Sequence, residues 1–370
     1  MSSKVTQRSV TFTNNCNPLQ ITSKEIDLDK CFNPDEIVIK VQSVSANPID
    51  FLAHQCASKW IVSRTPKTIG RDYAGVIVKR GSNVNRKWQV GDEVNGFFKH
   101  LLGERGTFTD YLIIDPSKQQ AIAHLSNFDY LNINPKDFNR FDIAASYPLT
   151  FGTAYGVLYG QGQKLGPNSR ILVNGASTAV SNALIQIAKK QLNIGTVVGI
   201  CNSKSFDYNK KAGFDHLIAY DKGNTVEGVQ RYIDNNLQGE KFDLIFDSVG
   251  TSQFFPTINK LLKPIDEGSY YVTVAGKSKI NYKAGLLGGI AYFPLKNKLQ
   301  SYSPWRTFNY AYLWAKPESN FMELAAVMFE NKQFTPSLDS RYSLEDFQQA
   351  IDKLASNKAK GKIIVTFNKD

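Results

Sequence analysis

The chain has 370 residues, 42% of them hydrophobic and 21% charged, which excludes a disordered protein and leaves length for two domains with substantial cores. Its four cysteines, Cys16, Cys31, Cys56 and Cys201, form no CxxC pair, which speaks against a zinc site and a disulfide framework and for a reducing compartment. A net charge of +11 is compatible with acidic surfaces, but the lysines are dispersed and read as a solubility feature.

The opening residues, MSSKVTQRSVTF, lack the apolar core of a signal peptide. No apolar stretch approaches the roughly 20 residues of a membrane span; the nearest, Ala284 to Leu295, carries Gly288 and Gly289 and is bracketed by Lys283 and Lys296. From Val10 to Leu112 the chain is strand-rich. Glu36 to Ser45 alternates apolar and polar residues, as a half-buried strand does, and ends in the turn Ala46-Asn47-Pro48-Ile49-Asp50. A helical piece follows at Phe51 to Gln55, with Asp50 as its potential cap. Short strands punctuated by Gly-Asp turns then predict a compact, largely antiparallel, barrel-like domain over 1–147. An Asn-rich passage, Ser126 to Arg140, leads to Asp142 to Tyr155, whose small residues would let helices pack closely and which reads as the hinge into a second domain at 148–276.

That domain opens with Ser169 to Lys190: the apolar run Ile171 to Val173, a turn through Asn174 to Ser177, and apolar positions at helical spacing from Val180 to Ala188. A strand feeding a helix through small residues aims free backbone N–H groups and the helix dipole at one point, which suits a phosphate. Gly175, Ser177, Thr178, Ala179 and Val180 are therefore the candidate pyrophosphate site. Its fingerprint is worn: only Gly175 remains, with Ala176, Thr178 and Ser181 at positions that favour glycine. Further strands are expected at Thr196 to Ile200, Leu217 to Ala219, Phe242 to Phe246 and Ser269 to Val274. Helices are expected at Ser205 to Ala212, Thr225 to Leu237 and Gln253 to Leu262. The alternation predicts a doubly wound parallel sheet with ligands beyond the carboxyl ends of its strands.

Residues 277–320 are rich in aromatic and basic side chains and read as a connecting segment whose rings are core, with a pocket rim or a membrane-touching surface as the alternative. Helices at Phe321 to Glu330 and Leu344 to Leu354 and a last strand, Lys362 to Phe367, are expected to complete the first domain.

The ordered set Asn47-Pro48-Ile49-Asp50, Gly70 to Val76, Val90 to Val94, Leu149 to Ala154, Ile171 to Ser181, Phe242 to Gly250 and Lys360 to Val365 resembles the medium-chain dehydrogenase/reductase superfamily. Within its zinc-free quinone-oxidoreductase-like branch, the chain looks closest to the fungal Yim-type group. The resemblance covers nearly the whole chain. It implies a GroES-like catalytic domain beside a Rossmann domain and a nicotinamide cofactor. The nicotinamide would lie near Thr153, Val249, Val274 and Gly276, with Asn47 and Asp50 lining the substrate cleft. It also implies association with lipid droplets or mitochondria, and a homodimer as an expectation. Zinc-dependent relatives carry a cysteine near Asn47, a His-Glu pair where this chain has Arg71-Asp72, and a four-cysteine lobe. None is present here, so no metal is expected.

The second strand of the nucleotide domain ends in Cys201-Asn202-Ser203-Lys204, with a hydroxyl and a cation and no acid. Together with Tyr220, which falls where NADPH-dependent relatives carry a phosphate-contacting tyrosine, Ser203 and Lys204 favour NADPH. The expected activity is hydride transfer to a quinone or an α,β-unsaturated carbonyl. The alternative is a non-catalytic scaffold or lipid-droplet-associated protein on a degenerate reductase fold. RNA binding has only net charge behind it, and no nucleic acid is expected. Tyr73, Tyr147 and His54 are candidate proton donors, each with a plainer reading as a packed or surface side chain, and no catalytic residue is assigned.

Overall fold

The computed structural model describes residues 4–60, 62–100, 102–276 and 306–367, with 299 and 302 singly. Of the aromatic segment, Tyr282, Tyr292, Phe293 and Trp305, like the apolar stretch Ala284 to Leu295, lie outside the described residues. In chain order come β1 (Lys4–Phe12), β2 (Gln20–Asp27), β3 (Ile37–Ala46), α1 (Pro48–Cys56), β4 (Lys67–Thr68), β5 (Asp72–Arg80) and β6 (Glu93–Phe97). Then follow β7 (Tyr111–Ile114), β8 (Ile122–His124), α2 (Arg140–Ala145), α3 (Pro148–Tyr159), β9 (Arg170–Asn174), α4 (Ala179–Lys190), β10 (Thr196–Cys201) and α5 (Phe206–Ala212). The rest is β11 (His216–Ala219), α6 (Thr225–Asn236), β12 (Leu244–Asp247), α7 (Ile258–Leu261), β13 (Tyr270–Thr273), β14 (Asn309–Tyr312), α8 (Ser319–Glu330), β15 (Leu338–Ser343), α9 (Phe347–Ala355) and β16 (Lys362–Thr366).

The described residues up to Gly152 and from Lys316 onward form one compact unit, and those from Thr153 to Ala315 a second. The first unit holds a small antiparallel sheet, β2-β1-β4, and a larger one, β15-β16-β3-β5-β6-β8, with β7 also on β3. The β3–β5 register shifts between Val38 and Ile39 and between Val41 and Ser43, and such bulges bend a sheet towards a barrel. The period-two pattern of β3 turns Ile37, Ile39 and Val41 into a core shared with Val94, Leu112, Ile363 and Val365. The last strand does return to this unit, where β16 runs antiparallel to β3 with Val365 opposite Val44.

The second unit is a parallel sheet in the order β11-β10-β9-β12-β13-β14, the doubly wound arrangement that strand–helix alternation requires. Its sixth strand comes from the aromatic segment: β14 lies parallel to β13, the Tyr310 ring stacks on Tyr271 with centroids 5.8 Å apart, and Phe308 packs on the same core. Gln253 to Leu262 differs from the single helix expected. A 3-10 turn over Phe255–Thr257 precedes the one-turn α7, because Pro256 removes an amide that a continuous helix would use. Among the described residues no helix is long and apolar enough to cross a membrane.

Candidate functional site

In the second unit the carboxyl end of β9 leads through Gly175 to Thr178 into α4. Gly175 has φ +87°, and a Cβ there would stand 2.3 Å from Val249 Cγ2 and 2.5 Å from Ser248 Oγ, so glycine is required where β9 and β12 end together. Thr178 caps α4 by accepting the Ser181 N–H at 3.2 Å. The Ala179 and Val180 amides precede the first helical bond, from the Asn182 N–H to the Thr178 carbonyl at 2.9 Å, and so belong to the N-terminal amides that a helix leaves for an anion. The worn glycines have a structural counterpart: a Cβ on Gly199 of β10 would come within 2.8 Å of Ala176 Cβ, so the strand gives up the space that the loop takes. Ser181 is fully buried, and its hydroxyl and that of Ser248 both bond Thr178 Oγ1, at 2.9 and 3.2 Å. Ser177 accepts from Asn209 Nδ2 at 2.8 Å.

Parallel pairing of β10 with β11 sets Cys201 opposite Ala219, which brings Ser203, Lys204 and Tyr220 to one edge of the sheet. Lys204 and Tyr220 are exposed, Tyr220 by 50%. The same register adds an acid that reading each strand separately missed. The Asp221 carboxylate accepts both the N–H and the hydroxyl of Ser203, each at 2.7 Å, and these bonds hold it below the usual carboxylate range. Thr153 in α3 and Gly276 after β13 are buried, while Val249 and Val274 are half-buried at the ends of β12 and β13.

A second polar cluster lies inside the first unit. Pro48 at the first position of α1 keeps Asn47 extended, at φ −128°, and the Asp50 carboxylate accepts the Asn47 N–H at 2.9 Å, so Asp50 does cap the helix. The Asn47 side chain is committed internally: Nδ2 donates to Asp72 Oδ2 at 2.9 Å, and Oδ1 accepts Lys362 Nζ at 2.6 Å. Asp72, with no exposed surface, also accepts from Ser45 Oγ at 2.8 Å, Lys362 Nζ at 3.0 Å and the Leu149 N–H at 2.7 Å. Arg71 and Asp50 face one another at 3.6 Å between Nε and Oδ1, both buried, and neither of those two atoms has a hydrogen-bond partner among the described residues.

Burial pushes the Asp50 carboxyl up to about 6; Asp72 adds to the rise, while Arg71, the Asn47 N–H and Lys362 oppose it. The folded chain therefore holds this proton up to about pH 6, whereas the unfolded chain releases it near about 3.9. Between those values the native state binds more protons, so the Asp50 contribution makes stability fall as pH rises and level off above about 6. Urea titrations at a series of pH values are expected to show this decline in the parent and not in Asp50→Asn; parallel curves for the two proteins would contradict it. Of the proton donors considered, Tyr73 and Tyr147 are core residues whose phenols burial pushes far above the ordinary range. His54 Nε2 is engaged with the Asn17 carbonyl at 2.8 Å.

The chain matches the alcohol dehydrogenase GroES-like domain family over residues 33–124 and the zinc-binding dehydrogenase family over residues 212–365. It is 48% identical over 369 residues to the protein YIM1 of Candida glabrata, covering 99% of this chain and 100% of that one. Identity to YIM1 of Saccharomyces cerevisiae strain YJM789 is 44%, over 98% of each chain. The chain belongs to the YIM1 family, within the medium-chain dehydrogenase/reductase superfamily. Solved structures agree on the fold. A quinone oxidoreductase from Coxiella burnetii aligns with a TM-score of 0.71 at 18% identity, covering 98% of this chain and all of that one. The CurK enoyl reductase aligns at 0.73 and 19%, covering 99% of this chain and all of its own.

The name of the second matched family implies zinc, and the residues here do not fit it. Where zinc-dependent relatives place ligands, this chain has an amide, a guanidinium and one carboxylate, and the Lys362 ammonium already stands between the amide and the carboxylate. Among the described residues no three His, Cys, Asp or Glu side chains converge on one point.

Proposed function

We propose that this YIM1-family chain is a zinc-independent reductase that transfers a hydride from NADPH to a quinone or an α,β-unsaturated carbonyl. The superfamily fold is that of small-molecule oxidoreductases and implies a nicotinamide cofactor, and the quinone oxidoreductase and enoyl reductase that share this fold suggest the substrate class. The observation that carries the reading is the pairing of the helix-start amides of Ala179 and Val180 with Lys204 and Tyr220 at the neighbouring strand ends. The first pair would hold the pyrophosphate and the second a 2′-phosphate. The bound dinucleotide would supply the hydride; the chain would contribute binding and orientation.

One observation favours the second reading, a non-catalytic scaffold or lipid-droplet-associated protein. Thr178, Ser181 and Ser248 spend their hydroxyls on one another rather than offering them to a phosphate. Calorimetric titration of the purified chain separates the two. The reductase reading expects micromolar NADPH binding, at least about tenfold weaker binding of NADH, and a loss of about tenfold for NADPH alone in Lys204→Ala and in Tyr220→Phe. Asp221→Asn is expected to widen the preference for NADPH by removing the anion that holds Ser203. A folded chain that takes up neither nucleotide would leave the scaffold reading.

A further inference from the structure

The hydroxyl network beside the candidate pyrophosphate turn ends on one residue of the second unit. Ser248 follows β12, whose last residue, Asp247, stands opposite Asn174 at the end of β9. Both donors of Ser248 go to the same acceptor there: its N–H reaches the Asn174 carbonyl at 3.0 Å and its hydroxyl reaches it at 2.8 Å. The Gly175 carbonyl is a second acceptor for that hydroxyl at 3.2 Å. From the other side, Thr178 Oγ1 lies 3.2 Å and Ser181 Oγ 3.4 Å from Ser248 Oγ. Hydrogen bonds therefore run from the first turn of α4 into Ser248, and from Ser248 into the backbone of β9. One half-buried hydroxyl ties strand, turn and helix together.

Glycines in such a turn let the backbone close on a phosphate, but they leave it many conformations to lose. Here Gly175 alone is kept, and the Ser248 hydroxyl oxygen stands 2.5 Å from where its Cβ would be. Thr178 is extended, at φ −76° and ψ 154°, and its side chain accepts the Ser181 N–H. Side-chain hydrogen bonds thus fix a turn whose backbone is already less free than a glycine-rich one.

Resting on the reductase reading, we infer that Ser248 is a positioning residue for the pyrophosphate. It acts through the turn: by holding Asn174, Gly175 and Thr178 it sets the Ala179 and Val180 amides for the two phosphates before the dinucleotide arrives. The network that offers a phosphate no hydroxyl offers it a fixed pair of amides instead. Ser248→Ala is a narrow probe of this role, because it keeps the N–H bond to Asn174 and the β9–β12 ladder and removes the hydroxyl alone.

The test is calorimetric titration of the full chain, at physiological salt, with NADPH, with inorganic pyrophosphate, and with adenosine 2′-monophosphate, which carries the 2′-phosphate and lacks the pyrophosphate. NADPH and pyrophosphate are expected to bind about three- to tenfold more weakly to Ser248→Ala, the effect of one net hydrogen bond, while adenosine 2′-monophosphate binds as it does to the parent. Ser248→Thr, which restores the hydroxyl, should bring both affinities back to within about twofold of the parent. A general loosening of the unit would instead weaken all three ligands and would not be reversed by a hydroxyl. Thermal melting checks each variant; if Ser248→Ala does not fold, Ser181→Ala breaks the same network from the helix side, with the same pattern expected. Equal losses on all three ligands, or affinities indifferent to Ser248, overturn the proposal. A parent that binds pyrophosphate in a Ser248-dependent way but takes up no NADPH would fault the reductase reading and leave the positioning role standing. A parent that binds neither overturns both.

Discussion

Lys362→Met is expected to destabilise the first unit by about 3–5 kcal/mol, the range for removing one partner of a buried ion pair. The side chains of Lys362 and Asp72 are 5% and 0% exposed, and their bond at 3.0 Å spans 290 residues of sequence. Methionine keeps the length and apolar body of lysine, so little of the loss would come from a cavity. What it removes is the charge. Asp72 would keep its donors from Ser45, Asn47 and Leu149, and Asn47 Oδ1 would lose its partner, while a carboxylate without its cation remained shut away from water. At about 2–4 °C per kcal/mol for a unit of this size, the melting temperature should drop by roughly 6–20 °C. Adding Asp72→Asn should restore most of it, since a neutral amide does not need the cation. A single-variant loss below about 1 kcal/mol would show that water already reaches the pair.

The cluster around Lys362 also marks where sequence reasoning stopped. Lys360 to Val365 carried family resemblance and a final strand, both sound, but no spacing rule connects a lysine in the last strand to an aspartate near residue 72. That meeting depends on β16 joining the edge of β3, a long-range pairing with no local signature. Where the information was local, the sequence was legible. The Ile171 to Ala188 stretch shows its strand, turn and helix through the change of hydrophobic period alone, and Asn47-Pro48 fixes the start of α1 through proline geometry.

Two elements escaped for opposite reasons. β14 is four half-buried residues, Asn309 to Tyr312, too short to alternate, and only the β13 ladder makes it a strand. The bond from Ser203 to Asp221 is written in two separate segments. Reading the end of β10 by itself found no acid, and the parallel register then supplied one from β11. The buried pair Arg71–Asp50 was visible as residues but not as a pair, because their 3.6 Å approach is a property of packing.

Asp247→Ala should produce the largest loss in the second unit, at least about 4 kcal/mol. This carboxylate, 1% exposed, ends β12 and gathers five donors: Asn174 Nδ2 at 2.8 Å, the amides of Val249, Gly250 and Thr251 at 3.1, 3.0 and 3.0 Å, and the Tyr271 hydroxyl at 2.8 Å. It thereby ties the ends of β9, β12 and β13 to the turn that follows, a turn whose Val249 packs against Gly175. Truncation would strand these donors in a space too enclosed for each to find water, at about 1–3 kcal/mol per group left unpaired. Asp247→Asn keeps one oxygen and turns an NH2 towards Thr251 or Asn174, so it should lose only about 1–3 kcal/mol. The two variants therefore separate packing from donor satisfaction. With about 2–4 °C per kcal/mol, Asp247→Ala should melt at least roughly 8 °C below the parent, and Asp247→Asn should fall between them. Because Gly175 and Val249 share this corner with the candidate pyrophosphate turn, NADPH binding should weaken in the same order, even at temperatures where all three proteins are folded. Equal nucleotide affinity across the three would separate the β12 corner from the cofactor site and confine the role of Asp247 to stability.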